Sequence, residues 1–174
     1  GGAQGESFQF PGNEDEGMLA NVASSVLMQI LYGARVARWD MIKAGTLLAT
    51  RVARWTVTCG KALHMLVSYI DTTAHWALEG YVGYELASLN LRLYADADVA
   101  GDRPSSKSTS GSILVLNGPN TWFPLAAKSQ KQTRVSHSTP EADIVALNTA
   151  VRPVGLPAHD LWDADLQTKG RRQV

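Results

Sequence analysis

Residues 91–111, with the sequence LRLYADADVAGDRPSSKSTSG, decide the fold of the second half of the chain. Here the apolar residues change from a helical period to a period of two, which is typical of a β-strand. The apolar positions are Leu89, Leu91, Leu93, Ala95 and Ala97. They alternate with Asn90, Arg92, Tyr94, Asp96 and Asp98. Both aspartates therefore share the face opposite the leucines, where they could form a carboxylate metal site or merely end the strand in an acidic turn.

Two further strands are predicted downstream of this stretch. They are SGSILVLN at residues 110–117 and TWFPLAAKS at residues 121–129. The Gly-Pro-Asn sequence at 118–120 is favourable for a tight turn, so the two strands should form a hairpin. Upstream, EGYVGYELAS at residues 79–88 is typical of a short strand and turn.

A helix is predicted after the sheet, within SHSTPEADIVALNTAV at residues 136–151. Ser138 or Thr139 suits the N-cap, and the proline that follows suits the first turn. Glu141 lies three residues after Ser138 and is expected to complete a capping box. The buried stripe of this helix is predicted to consist of Ile144, Leu147 and Val151.

The first half of the chain is predicted to be helical. Three helices are expected, at about 19–37, from 40 through 55, and at about 61–70. In the third, the apolar residues follow the spacing of a helix with one buried face. The first contains a stretch without charged residues, 18–34, that roughly matches the shortest membrane span. Because four polar residues interrupt it, we expect a buried or partner-facing helix and no transmembrane span.

The composition limits the possible partners and compartments. The 174 residues carry 16 basic and 16 acidic side chains, so no overall field draws the chain toward nucleic acid or membrane. The single cysteine, Cys59, excludes an internal disulfide and favours a reducing compartment. Residues 1–17 lack the basic and apolar segments of a signal peptide and predict a flexible polar tail. An intracellular location is therefore expected.

Several motifs follow one another in the order known from one family. YADADVAGDRPSSKSTSG at residues 94–111 is followed by a hairpin with a tryptophan and then by KSQKQTRVSHSTPEADIVAL at residues 128–147. Together they resemble the ribonuclease H domain of copia-type LTR retrotransposon Pol polyproteins. The upstream segments LMQILYGARVARWDMIKAGTLLATRVARWT and KALHMLVSYIDTT are similar to the stretch that leads from the reverse transcriptase into that domain. The resemblance covers about residues 24–162.

This resemblance implies a magnesium-dependent nuclease that cuts the RNA strand of an RNA/DNA hybrid. In such a site several carboxylates hold two divalent ions about 4 Å apart, one activating water and the other stabilising the leaving oxygen. The resemblance assigns the first carboxylate to Asp96 and the second to Asp143, with Asp98 as a neighbouring ligand. Mg²⁺ would be required only if the chain is active.

Two departures from the family pattern predict that the site is catalytically incomplete. Position 143 has an aspartate where the family has a glutamate, and the shorter side chain could end about 1 Å short of a metal. No apolar run ending in Asp-Asn follows residue 151, so the third carboxylate of the family has no counterpart. The later acidic residues are assigned to a helix surface or a tail; they are Asp160, Asp163 and Asp165.

Basic residues near the predicted hairpin are candidates for nucleic-acid binding. They are Arg103, Lys107, Lys128, Lys131 and Arg134. Asp102 is the only acidic residue among them, so this segment could hold phosphates in a salt-sensitive manner. An ordinary solvated surface explains the same residues equally well.

The sequence therefore predicts an α+β chain, in which N-terminal helices precede a partial ribonuclease H-like unit of three antiparallel strands and one helix. The predicted boundaries are a flexible tail at 1–17, a helical connection segment at 18–75, the ribonuclease H-like domain at 76–162 and a flexible tail at 163–174.

Two functions are consistent with these observations. The first is a retroelement Pol-derived protein, ancestrally a ribonuclease H. The second is a non-catalytic accessory or scaffolding subunit recruited into a larger assembly. In the second case protein partners would bind residues 18–37 and the sheet, since a sheet this small leaves an open edge.

Overall fold

The computed structural model describes residues 15–85, 88–102 and 105–172, and it is an α+β structure. The helices are α1 Ala20–Ala37, α2 Ile42–Ala49, α3 Val57–Thr72, α4 Thr139–Ala150 and α5 Leu156–Arg172. The strands are β1 Tyr81–Val82, β2 Asn90–Asp102, β3 Lys107–Gly118 and β4 Thr121–Lys131. The predicted α+β class is confirmed, whereas the ribonuclease H-like assignment is not. The chain divides into two compact units between Ala77 and Leu78.

The first unit is built from α1, α2 and α3 around a shared apolar core. From α1 the core takes Ala23, Leu27, Leu31 and Ala34, and from α3 it takes Cys59, Leu63 and Leu66. These spacings of three and four residues place the buried side chains on one face of each helix. Gly45 of α2 lies where a Cβ atom would be 2.9 Å from Leu31 Cδ2, so the glycine lets α1 and α2 approach closely.

The single helix predicted from residue 40 through residue 55 is wrong. The structure has the shorter helix α2, with a 3₁₀ turn on either side, at Trp39–Met41 and Val52–Arg54. Breaking the helix buries Trp55 and sets Thr56 as the N-cap of α3, where its Oγ1 accepts a hydrogen bond of 3.3 Å from the Cys59 amide. Local helix propensity does not predict that the helix ends at Ala49, because the stabilisation comes from burying the Trp55 side chain in the folded unit.

The second unit contains a four-stranded antiparallel sheet in the order β1-β4-β3-β2. β2 pairs with β3 in a regular register that runs from Asn90 opposite Asn117 to Asp98 opposite Thr109. The register then shifts before Asp102. β3 and β4 form the predicted hairpin, with Gly118 opposite Thr121. β1, with two residues, lies in the segment 79–88 that was predicted as a short strand and turn, and it adds a fourth strand to the three assigned to the predicted ribonuclease H-like unit.

Helix α4 packs on β2 and β3 through alanines. Its buried residues are Ala142, Ala146 and Ala150. The predicted stripe was wrong, since Ile144 is 67% exposed and Leu147 is 51% exposed. Small side chains allow the helix backbone to lie close to the sheet, and the larger ones then point outward. The predicted N-cap is present, since Ser138 Oγ accepts from the Glu141 amide. The Glu141 carboxylate accepts from the backbone amide of His137, one residue before the N-cap amide that a capping box uses.

Gln132, which is buried after the end of β4, ties α4 to the sheet. Its Nε2 donates to Ser110 Oγ on β3 and to the Ala142 carbonyl in α4, both at 3.0 Å. Its Oε1 accepts from Ser136 Oγ, and its backbone amide donates to the Ser108 carbonyl. The Gln132 side chain therefore forms hydrogen bonds with a strand, a loop and a helix. Buried polar groups need such partners, because they have no contact with water.

The chain continues as a helix after α4. A π-helical turn occupies Val151–Gly155, and α5 follows directly. Pro157, in the first turn of α5, lacks an amide hydrogen and so cannot donate to the carbonyls of the preceding turn. Residues 163–172, which the sequence predicts as part of a flexible tail, lie in α5.

Replacing Gln132 by alanine should lower the free energy of unfolding of the second unit by about 2–3 kcal/mol, because it leaves buried hydrogen-bonding groups without partners. Urea denaturation followed by circular dichroism measures this change. Gln130→Ala, at an exposed position two residues earlier in β4, is the matched control and should have little effect. Equal stability of the two variants would contradict the role given to Gln132.

Candidate interaction surface

The two predicted metal ligands on β2 have different environments. Asp96 is exposed and lies opposite Gly111, on the face that carries Arg92 and Tyr94. Asp98 is half-buried, and its Oδ1 accepts a hydrogen bond of 2.5 Å from the backbone amide of Thr109. Asp98 thus fixes the end of the regular β2–β3 pairing.

Asp143 lies on the other side of the sheet. It belongs to α4, which packs on β2 and β3, and the π-helical turn directly after α4 lies on the face that bears Leu93, where a Cβ at Gly155 would be 3.0 Å from Leu93 Cδ2. The Asp143 Oδ1 is buried and accepts no hydrogen bond from the described residues. Within the described ranges no group of three or more acidic, histidine or cysteine side chains could hold a metal ion. The magnesium site stays a prediction.

The basic residues predicted to contact nucleic acid are dispersed. Arg103 lies outside the described residues. Lys131 forms an ion pair with Asp102, whose carboxylate also accepts from Ser105 Oγ, so this lysine stabilises the β2–β3 connection. Lys107 and Lys128 are half-buried, and Arg134 is exposed. Their role in binding phosphates remains a prediction.

The outer side of α1, opposite the buried residues, carries a second stripe of apolar side chains, with the exposed Asn21, Ser25 and Gln29 interspersed among them. It consists of Met18, just before the helix, with Val22, Met28, Tyr32 and Val36. Tyr32 is 76% exposed and Val36 is 67% exposed. No charged residue occurs between positions 17 and 34. Large contiguous patches of exposed apolar side chains occur at protein, membrane and ligand-binding sites. Within the part of the chain that the structure describes, no helix has the length and hydropathy to cross a membrane, as expected.

Arg38 anchors the C-terminal end of α1 to the end of α3. Its guanidinium donates to the Thr73 carbonyl at 2.9 Å and to Thr73 Oγ1 at 2.7 Å. The same group donates twice to the Asp40 carboxylate, at 2.9 and 3.1 Å. Tyr69 OH also donates to Asp40, at 2.8 Å, and the guanidinium lies 5.7 Å from the Tyr69 ring centroid. These contacts hold the outer stripe of α1 in a fixed orientation.

The anchor changes the titration of its members. The hydrogen bonds from Arg38, assisted by the Tyr69 hydroxyl, lower the pKa of Asp40 below its ordinary value. The negative carboxylate in turn raises the pKa of Arg38 and of Tyr69. Asp40 lies at the predicted start of the second helix, but in the structure it belongs to the 3₁₀ turn before α2 and does not cap that helix. Arg38 and Asp40 are only two residues apart, so their ion pair is a local contact. The contacts with Tyr69 and Thr73 depend on the tertiary fold.

The sheet face that carries Arg92 is rich in exposed aromatic residues. Tyr81 of β1 lies directly opposite Trp122 of β4, and Tyr94 of β2 lies directly opposite Ile113 of β3. All four side chains are between 40% and 66% exposed. Residues directly opposite each other in antiparallel strands share a face, so these side chains form a second surface with the composition of an interface.

The structure is therefore that of an α+β protein of two compact units, each of which exposes apolar side chains. The chain belongs to the family of the secreted RxLR effector protein 161 of Plasmopara viticola. The two sequences are 32% identical over 128 residues, which are 74% of this chain and 85% of that protein. No protein-family model and no solved structure matches the chain.

This relationship corrects the interpretation of the sequence. The assignment to a copia-type retrotransposon Pol polyprotein is wrong, because the relative that shows the family is described as a secreted effector. A ribonuclease H-derived function is contradicted by the same finding, and the alternative of a recruited accessory or scaffolding subunit is not supported either. The motif at residues 94–111 covers most of β2 and the start of β3. The motif at residues 128–147 runs from the end of β4 into the capped helix α4.

The 174 residues do not contain the tetrapeptide Arg-x-Leu-Arg. The sequence Arg-Val-Ala-Arg occurs twice instead, at 35–38 and at 51–54. In the first copy Arg38 serves as the anchor of α1. In the second copy Val52–Arg54 forms a 3₁₀ turn. The two copies therefore have different structural environments.

The Asp40 carboxylate should stabilise the first unit at neutral pH and lose this effect in acid. Because its pKa is lowered on folding, its contribution is complete above the unfolded value, about 4, and disappears as the pH falls through the lower folded value. Asp40→Asn should cost about 1 kcal/mol at pH 7, a modest amount because the side chain is one-third exposed. Melting temperatures of both proteins should converge as the pH falls below 4; a constant difference would contradict this linkage.

Proposed function

We propose that the chain is an effector-type protein that acts by binding another protein through the outer stripe of α1. The observation that supports this proposal is the stripe itself, in which Met28, Tyr32 and Val36 are exposed on a helix whose opposite face is fully packed. Tyrosine and methionine are enriched in interfaces, because they provide a large contact area and adapt to a partner's shape.

The rigid attachment of α1 supports the same proposal. The buried stripe of the helix and the Arg38 anchor hold it before any partner arrives, so that binding costs little conformational entropy. The family adds a further argument, since the relative from Plasmopara viticola is described as a secreted effector. A location outside the producing cell is part of this proposal, in place of the intracellular location expected from the sequence.

A partner at the α1 stripe should be captured by a photo-reactive residue placed there. With p-benzoylphenylalanine at position 32, illumination should attach one defined protein, because Tyr32 is the most exposed side chain of the stripe within α1. Position 64 on α3, occupied by the exposed His64, is the matched control in the same unit and should not attach that protein. Mass spectrometry of the adducts identifies the partner.

A second substitution distinguishes specific binding from chance contact. Val36→Glu places a charge in the stripe one helical turn from position 32 and should reduce the yield of the position-32 adduct at least about tenfold. Adducts that are the same from positions 32 and 64, or that are unaffected by Val36→Glu, would refute the proposal.

A further inference from the structure

The outer edge of β2 is a long strand edge with regular geometry. β2 is the terminal strand of the sheet, and within the described residues it pairs with β3 alone. Its regular part comprises the nine residues from Asn90 to Asp98, before the register shift. A strand of this length with an open edge presents backbone amides and carbonyls that another strand can pair with.

The sequence of β2 is complementary to itself in antiparallel orientation. If Tyr94 lies on a twofold axis, each residue of β2 pairs with the residue of the second copy that is equally far from position 94 on its other side. Arg92 then lies opposite Asp96 of a second copy, and Asp96 lies opposite the Arg92 of that copy. Arg92 and Asp96 are both exposed, and they share the face of β2 that also carries Tyr94. Opposite charges directly across antiparallel strands stabilise pairing, and like charges oppose it.

The other face of β2 is complementary in size. The same register places Leu93 opposite Ala95 of the second copy and Leu91 opposite Ala97. Each large apolar side chain thus meets a small one, on the face that α4 covers. The centre of symmetry coincides with the centre of the regular segment, because Tyr94 is the midpoint between Asn90 and Asp98. All nine regular residues would be used.

We propose that two copies of this chain associate through their β2 edges, forming one continuous eight-stranded antiparallel sheet centred on Tyr94. The twofold axis is perpendicular to the sheet, so both α4 helices lie on the same side, and the aromatic faces with Trp122 and Tyr81 adjoin on the other. Such an isologous contact closes on itself and ends with two copies. It uses the second unit and is independent of the function proposed for α1.

Charge exchange tests this register. Sedimentation analysis of the full 174-residue chain should detect a dimer at micromolar concentration. Arg92→Asp and Asp96→Arg should each weaken the dimer at least about tenfold, since each places like charges opposite each other at two symmetric positions. The double variant should regain the wild-type dissociation constant. An equal mixture of the two single variants should form a heterodimer, because every charge then meets its opposite.

Disulfide formation provides a second, independent test. Tyr94→Cys should form a covalent dimer on mild oxidation, because residue 94 meets its own copy at the axis. Ile113→Cys is the matched control, since it lies directly opposite Tyr94 on β3 and away from the axis. The native Cys59 is 1% exposed and should not react.

The outcomes decide the proposal. A chain that is monomeric at high micromolar concentration, charge variants that dimerise like the wild type, or equal crosslinking at positions 94 and 113 would each overturn it. A monomer whose β2 edge captures an extended segment of a different protein would overturn it as well. If a charge variant fails to fold, which circular dichroism detects, the crosslinking of Tyr94→Cys decides.

Discussion

The hydrogen bonds of the Gln132 side chain are the constraint on which the second unit depends. A buried amide that must reach β3 and α4 at once fixes the distance between helix and sheet. That distance is short enough that only alanines fit beneath α4. With the alanines beneath the helix, the larger side chains Ile144 and Leu147 lie on its outer side, where they are exposed. One buried polar contact thus determines which face of α4 is presented to solvent.

Much of the second unit could be predicted because its signals are local. The period of two in β2, the turn after Gly118 and the N-cap at Ser138 each depend on a few neighbouring residues. The buried face of α4 could not be predicted in this way. Alanine contributes little to a pattern of apolar residues. The Ala142 carbonyl accepts a hydrogen bond from Gln132, which precedes the helix by several residues.

The first unit shows where local reasoning fails. α2 ends early so that Trp55 can be buried, and the gain is visible only in the folded chain. The outer stripe of α1 is different, since a charge-free stretch with interspersed polar residues already indicated a buried or partner-facing helix. Its anchor was not predictable, because Arg38 contacts Tyr69 and Thr73 more than thirty residues away. Residue motifs alone also led to the wrong family.

The connection between β2 and β3 has one feature with a practical consequence. Ala100 and Ser106 adopt φ angles of 52° and 50°, a left-handed conformation that costs an ordinary residue about 1 kcal/mol. Ala100 is held there by a hydrogen bond from its amide to Ser108 Oγ. Glycine or asparagine, which adopts this conformation at a lower cost, should therefore raise the thermal stability at positions 100 and 106.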